Sequence, residues 1–92
     1  MVHEWDAAKA ARNLKKNEIS FVEAATVFLD ALAVTFPDPD HSSAENREIT
    51  IGHTMKKRLV LVAHCERGNR IRLISARLAT KAERRQYEED LE

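Results

Sequence analysis

Arginines punctuate the second half of this chain. Arg67, Arg70, Arg72 and Arg77 fall on or beside one strand-like run, NRIRLISAR, with His64 and Glu66 just before it and Ser75 inside it. A planar guanidinium matches two phosphate oxygens at once and stays charged at any working pH. Histidine and glutamate are side chains that move protons near neutrality. Together these types suit phosphodiester chemistry on RNA, whose own 2′-OH can attack the neighbouring phosphate. A protein then has to supply a base, an acid and cations for the developing charge, with no metal or other cofactor required. On this reading His64 and Glu66 transfer protons, and Arg67, Arg70, Arg72 and Arg77 bind phosphate. Ser75 orients through its hydroxyl, while Lys16, Lys81 and Arg84 extend the cationic surface for RNA. Each residue also has a plainer reading. Arg70 and Arg72 could simply cover an exposed sheet face, and Glu66 could pair with Arg67 or with Lys57 across a hairpin.

Other chemistries find less support. The metal-ligand types His3, His41, His53, His64 and Cys65 show neither H-x-x-x-H nor C-x-x-C spacing, so no metal site is expected. His64 and Cys65 are adjacent and face opposite ways on a strand. Cys65 ends an apolar run, where a small buried hydrophobe is the simpler assignment than a nucleophile. Ser75 lacks the G-x-S-x-G setting of a hydrolase elbow. The chain has only Gly52 and Gly68, which excludes a glycine-rich phosphate loop.

The formal net charge of zero is a sum of unlike blocks. Between Thr50 and Gln86 ten basic residues face two acidic ones, a net of +8. Met1 to Ile49 carries five basic and nine acidic residues, a net of −4, and Tyr87 to Glu92 adds four acids. The second half therefore has the charge of a polyanion-binding surface, unless its cations pair with acids of the first half. Ninety-two residues, 43% of them hydrophobic and 33% charged, make one soluble domain spanning 1–92. MVHEWD has no signal-peptide pattern, and AATVFLDALAV is too short and too interrupted to span a bilayer. A lone cysteine suits a reducing compartment, so a cytoplasmic protein without membrane contact is expected.

The elements that must position these residues follow from periodicity. WDAAKAARNLKKN predicts a helix capped by Asp6, with Ala8, Ala11 and Leu14 on its inner face and Trp5 anchoring its start. SFVEAATVFLDAL predicts a second helix, opened by a Ser20–Glu23 capping box and burying Phe21, Ala24, Ala25, Phe28 and Leu32. A short strand at Ala33–Phe36 leads into a polar, mobile loop, PDPDHSSAEN. REITIGH, RLVLVAHC and NRIRLISAR predict three strands joined by short links and hence antiparallel. Strict alternation along the last puts Ile71, Leu73, Ser75 and Arg77 on one side and Arg70, Arg72, Ile74 and Ala76 on the other. Thr80 and Glu83 open a final helix. Its cations lie in its first turns and its acids in its last, both the unfavourable way round for the helix dipole. The fold class is α+β: two N-terminal helices packed on an antiparallel three- to four-stranded sheet, plus a C-terminal helix.

Specific pieces of the chain occur in the order of a known family. They are W-D-x-x-K-A-x-x-N from Trp5 to Asn13, S-F-x-E-A from Ser20 to Ala24, Ile51-Gly52, and R-I-R-x-I-S-A-R-x-A-T-x-x-E-R-x-x-Y from Arg70 to Tyr87. The whole resembles the BrnT family of bacterial type II toxins over nearly its full length. The resemblance implies a metal-independent endoribonuclease of RelE-like fold that inhibits translation and growth. It also implies neutralisation by a BrnA-like ribbon-helix-helix antitoxin, with operator DNA bound only through the toxin–antitoxin complex. Two positions depart from the family pattern. Lys16, Asn17 and Glu18 stand where relatives carry K-H-G, and Leu78 stands where they often carry a cation. Asparagine has no proton to exchange near neutral pH, so a catalytic histidine at that position would leave this chain impaired. The alternative is a catalytically weak or inactive module that binds nucleic acid or antitoxin.

Overall fold

The computed structural model describes residues 2–40 and 46–91. Nine elements follow in order: β1 (Val2–Glu4), α1 (Ala7–Asn17), α2 (Phe21–Ala25) running on as a 3-10 turn (Thr26–Leu29), β2 (Val34–Pro37), β3 (Arg47–His53), β4 (Leu59–Arg67), β5 (Arg70–Leu78) and α3 (Lys81–Asp90). The sheet has five strands in the order β1-β5-β4-β3-β2. The α+β class holds, but the sheet is mixed, because β1 runs parallel to β5 at its outer edge. All other pairs are antiparallel. No helix among the described residues is long and apolar enough to cross a membrane. Of the loop expected at 37–46, residues 41–45, including His41, lie outside the described residues.

Two clusters sandwich the sheet. On one face α1 and α2 lay Ile19, Phe21, Ala24 and Val27 on Val60 and Val62 of β4 and Ile71, Leu73 and Ala76 of β5. Trp5 meets the edge of Phe21 at 5.9 Å between ring centroids, anchoring the start of α1 as expected. On the other face α3 sets Tyr87 against Ile51, Leu59 and Leu61. The middle of β4 is thus buried from both sides, which is why its sequence is a continuous apolar run. Burying a side chain such as Phe21 contributes about 1.5–3 kcal/mol. Gly52 lies beneath the turn before β2. A Cβ there would stand 2.9 Å from both Ala33 Cβ and Val27 Cγ2, so the close approach requires glycine.

Four local expectations are corrected. The inner side of α1 is Ala10, Asn13 and Asn17, while Ala8, Ala11 and Leu14 face solvent. The sheet edge that α1 covers offers backbone hydrogen-bonding groups, and amides satisfy these where methyls cannot. The α-helical part of α2 stops at Ala25, and Leu32 lies outside it and exposed. The Thr26 hydroxyl donates back to the Glu23 carbonyl at 2.6 Å, within a chain that tightens to 3-10 geometry. Only half of the first capping box forms. Ser20 Oγ accepts from the Glu23 amide at 3.0 Å, but the Glu23 carboxylate turns away to Arg58 and Thr54. The box at Thr80 and Glu83 is complete.

The fourth correction decides the site. Ala63 pairs with Ser75 and His64 with Leu73, so Ile74 is an extra residue without a partner in the ladder. This β-bulge shifts the phase of β5 by one. Ile71, Leu73 and Ala76 all face α1 and α2, and Arg70, Arg72, Ser75 and Arg77 share the opposite face.

Candidate nucleic-acid interface

The face that α1 and α2 leave open is basic at one end. Paired residues across a ladder share a face. The registers therefore put Arg67, Arg70, Arg72, Ser75 and Arg77 together with Arg47, which lies opposite Cys65 on β3. The bulge builds this row from residues that strict alternation would split between two faces. Sequence reasoning missed Arg47 because it starts a strand outside the arginine-rich run. The shared face of Ile49 and Ile51 pointed to it.

Carboxylates already organise the arginines. Glu4 on β1 accepts from Arg72 Nη1 at 3.1 Å and stands 3.8 Å from Arg70 Nη1. Glu83 on α3 takes Arg77 in a two-pronged pair, at 2.7 and 2.8 Å. The hydrogen bonds from Arg77 hold the Glu83 carboxyl down to about pKa 2, far below the usual glutamate range. The same carboxylate caps α3 by accepting from Thr80 N at 2.9 Å. Arg77 thus pins α3 to β5, and its fork is engaged. Neither Glu4 nor Glu83 was expected as a partner of these arginines.

The edge beyond β1 is finished by side chains. β1 ends at Glu4, opposite Arg72, and further along β5 the backbone of Ala76 faces α1. Asn13 Oδ1 accepts from Ala76 N at 3.0 Å, and Asn17 Nδ2 donates to Ala76 O at 2.9 Å. Asn13 is 7% exposed, and its own Nδ2 donates to Ile19 O at 3.0 Å. The two amides replace a strand where the bulge has just re-aimed the chain. Asn17 therefore acts as a hydrogen-bonding part of the scaffold here. Glu18, the C-cap of α1, adopts a left-handed φ of 60°.

The expected proton-transfer residues lie elsewhere. His64 faces α2, is 3% exposed, and meets the edge of Phe28 at 5.0 Å between ring centroids. Its Nε2 hydrogen-bonds the Thr50 hydroxyl at 2.7 Å. Burial, with a smaller contribution from His3, pushes its pKa down to about 4, so the ring is neutral. Glu66, opposite Ile71, is exposed at the end of β4 on the helix side. Cys65 is a buried free thiol, as its place in an apolar strand suggested. Lys16 is exposed at the end of α1, and Lys81 and Arg84 are exposed on α3. Arg84 stands 4.0 Å from Glu88. Among the described residues no three His, Cys, Asp or Glu side chains converge as metal ligands.

Another ion pair ties the acidic first half of the chain to the basic second half. Glu23 takes Arg58 by two guanidinium nitrogens and accepts from Thr54 Oγ1 at 2.7 Å. The hydrogen bond from Arg58 is the main reason that its carboxyl is held below the usual glutamate range. Some of the cations counted in the sequence are thus neutralised within the chain, by Glu4, Glu23 and Glu83.

Fold and site together define a small α+β protein that presents arginines on the uncovered half of a sheet. Residues 5–83 match the family described as "Ribonuclease toxin, BrnT, of type II toxin-antitoxin system", and the chain belongs to that family. The crystal structure of the Brucella abortus ribonuclease toxin BrnT is similar, with a TM-score of 0.69 and 22% identity, over 88% of this chain and 100% of that one. At that identity the likeness speaks for the fold. No curated protein matches the chain.

Proposed function

We propose that this chain is the toxin of a type II pair and a metal-independent endoribonuclease, of RelE-like fold, that binds RNA on the arginine face of its sheet. The bulge at Ile74 carries this reading, because it brings Arg70, Arg72, Ser75 and Arg77 onto the one side that α1 and α2 do not cover. Arg67, Arg70 and Arg72 hold the RNA phosphates and meet the charge that grows on the phosphoryl oxygens as the 2′-OH attacks. Ser75 orients the backbone by its hydroxyl. Arg77 shapes the margin through α3, and Lys16, Lys81 and Arg84 lengthen the cationic track. His64 is assigned to the core. Of the carboxylates, Glu4 stands among these arginines and takes the 2′-OH proton. Cytoplasmic RNA is the substrate. A ribbon-helix-helix antitoxin is the partner, and operator DNA is reached only through the complex with it.

A second reading, a binding module with little or no catalysis, is favoured by one observation: His64 and Glu66 both lie on the side away from the arginines. The deciding experiment is cleavage of a labelled single-stranded RNA by the purified chain in excess EDTA, beside an all-deoxy copy. Cutting of RNA alone, lost in Glu4→Gln with RNA affinity retained, supports the nuclease. Retention of RNA without cutting supports the module. Cutting gained by Asn17→His would make the departure at position 17 the cause.

A further inference from the structure

At the other end of the same sheet face, between β2 and α3, runs an apolar groove. Ile51, Leu61 and Tyr87 form its floor, and Val34, Phe36 and Leu91 its walls. The walls are 44%, 38% and 45% exposed, and Leu32, whose carbonyl accepts from the Tyr87 hydroxyl at 3.2 Å, is 58% exposed beside them. A contiguous apolar surface of this kind on a small chain marks a contact site more often than a chance exposure.

We propose that this groove receives a basic amphipathic helix of a partner protein. Charge chooses the partner. No lysine or arginine is among the groove's lining residues, whereas Glu83 and Asp90 are. Glu83 is already taken by Arg77, but Asp90 has the neutral amide of Gln86 at 3.0 Å. The last turns of α3 carry Glu88, Glu89 and Asp90 and no basic residue in the last turn, next to carbonyls whose dipole disfavours anions. The chain segment that includes β2 adds to the asymmetry. From Ala24 to Asp40 it has three acids and no lysine or arginine. A partner cation at this rim relieves both repulsions at once.

Backbone geometry chooses a helix over an added strand. The Asp38 amide donates to the Arg47 carbonyl at 3.0 Å, so by alternation Phe36 and Val34 also bond inward to β3. Thr35 and Pro37 face out. Proline has no donor, which leaves Thr35 alone with a complete outward pair, too little for a strand to read. Recognition therefore passes through side chains in the groove, as when an amphipathic helix is held by apolar anchors.

The proposal rests on this surface and not on the ribonuclease reading. Its test uses two synthetic helical peptides of roughly four turns, each with leucines on one side and either lysines or glutamates on the other. Fluorescence anisotropy at physiological salt should show the lysine peptide binding the full chain at least about tenfold more tightly than the glutamate peptide. Phe36→Ser and Asp90→Lys should each weaken it by about the same factor, while Arg70→Ala leaves it unchanged. Equal affinity for both peptides, or binding indifferent to Phe36→Ser in a variant with an unaltered melt, would overturn the proposal. So would a chain that sediments as a dimer and becomes monomeric on Phe36→Ser, since the groove would then belong to a second copy. Loss of RNA binding in the arginine variants leaves all of these outcomes intact, so the two readings fail separately.

Discussion

One sheet face has two ends that share strands but not chemistry. At the β5 end, backbone irregularity and amide hydrogen bonds gather arginines around Glu4. At the β2 end, regular pairing and apolar packing set Val34, Phe36 and Tyr87 beside acids. The contrast shows how a chain of zero net charge can offer a site for anions and a surface for cations without the two cancelling. A Debye length of about 8 Å at physiological salt lets each end be read on its own.

The comparison can be broken hardest at Asn13. Asn13→Ala leaves Ala76 N and Ile19 O buried without their partner, so stability should fall by about 2–4 kcal/mol. The melting temperature should drop by roughly 10–20 °C, with RNA affinity declining before helix α3 is disturbed. A thermal melt followed by circular dichroism checks the first effect, and an unchanged melt would remove Asn13 from the edge.

Acid should act next. His64 has an ordinary pKa of 6.5 and a folded value of about 4. Between those values the unfolded chain binds a proton that the folded chain refuses. Stability therefore holds above pH 6.5, declines as pH falls toward 4, and flattens below. The loss attributable to His64 is on the order of 3 kcal/mol. Urea unfolding across this range should show the slope, and His64→Gln, which keeps a polar partner for Thr50, should flatten it.

The arginine end is sharpened by Arg70→Ala combined with Arg72→Ala. Affinity for single-stranded RNA should fall about 10- to 100-fold, and the dependence of log K on log salt should become shallower by about 1.4. Phe36→Ser should leave that slope in place. If both variants changed it alike, the two ends would not be separate.

The smallest effect is a gain. Glu18 sits at φ 60°, which a β-carbon disfavours. Glu18→Gly should stabilise by about 0.5–1 kcal/mol, read as a small rise in urea midpoint, with both ends unchanged.

Much of this was legible in the sequence, because its causes are local. The Thr80 box, the central β4 run, the three consecutive antiparallel strands and the block of cations each follow from neighbours in the chain. The bulge had one visible trace, the doubled apolar pair Leu73–Ile74 that interrupts alternation before Ser75. Strict period-two reading passed over it and so divided the arginines wrongly. The inner face of α1 was misread because hydrophobic patterning scores Asn13 and Asn17 as solvent residues. A sheet edge without a neighbouring strand wants amides. β1 left no period to read in three residues, and its partner lies far along the chain. The burial of His64 was implied by the apolar run around it, which outweighs the chemistry that the residue type suggests.

The parallel pairing of β1 with β5 has a consequence in time. Glu4 leaves the ribosome 68 residues ahead of Arg72, its partner across the sheet. The arginine face therefore has no complete form until residues 70–77 have been made. A chain that stops short of that point carries neither its finished sheet edge nor most of the arginines. Of the described strands, the one that completes this face is thus the last to be made.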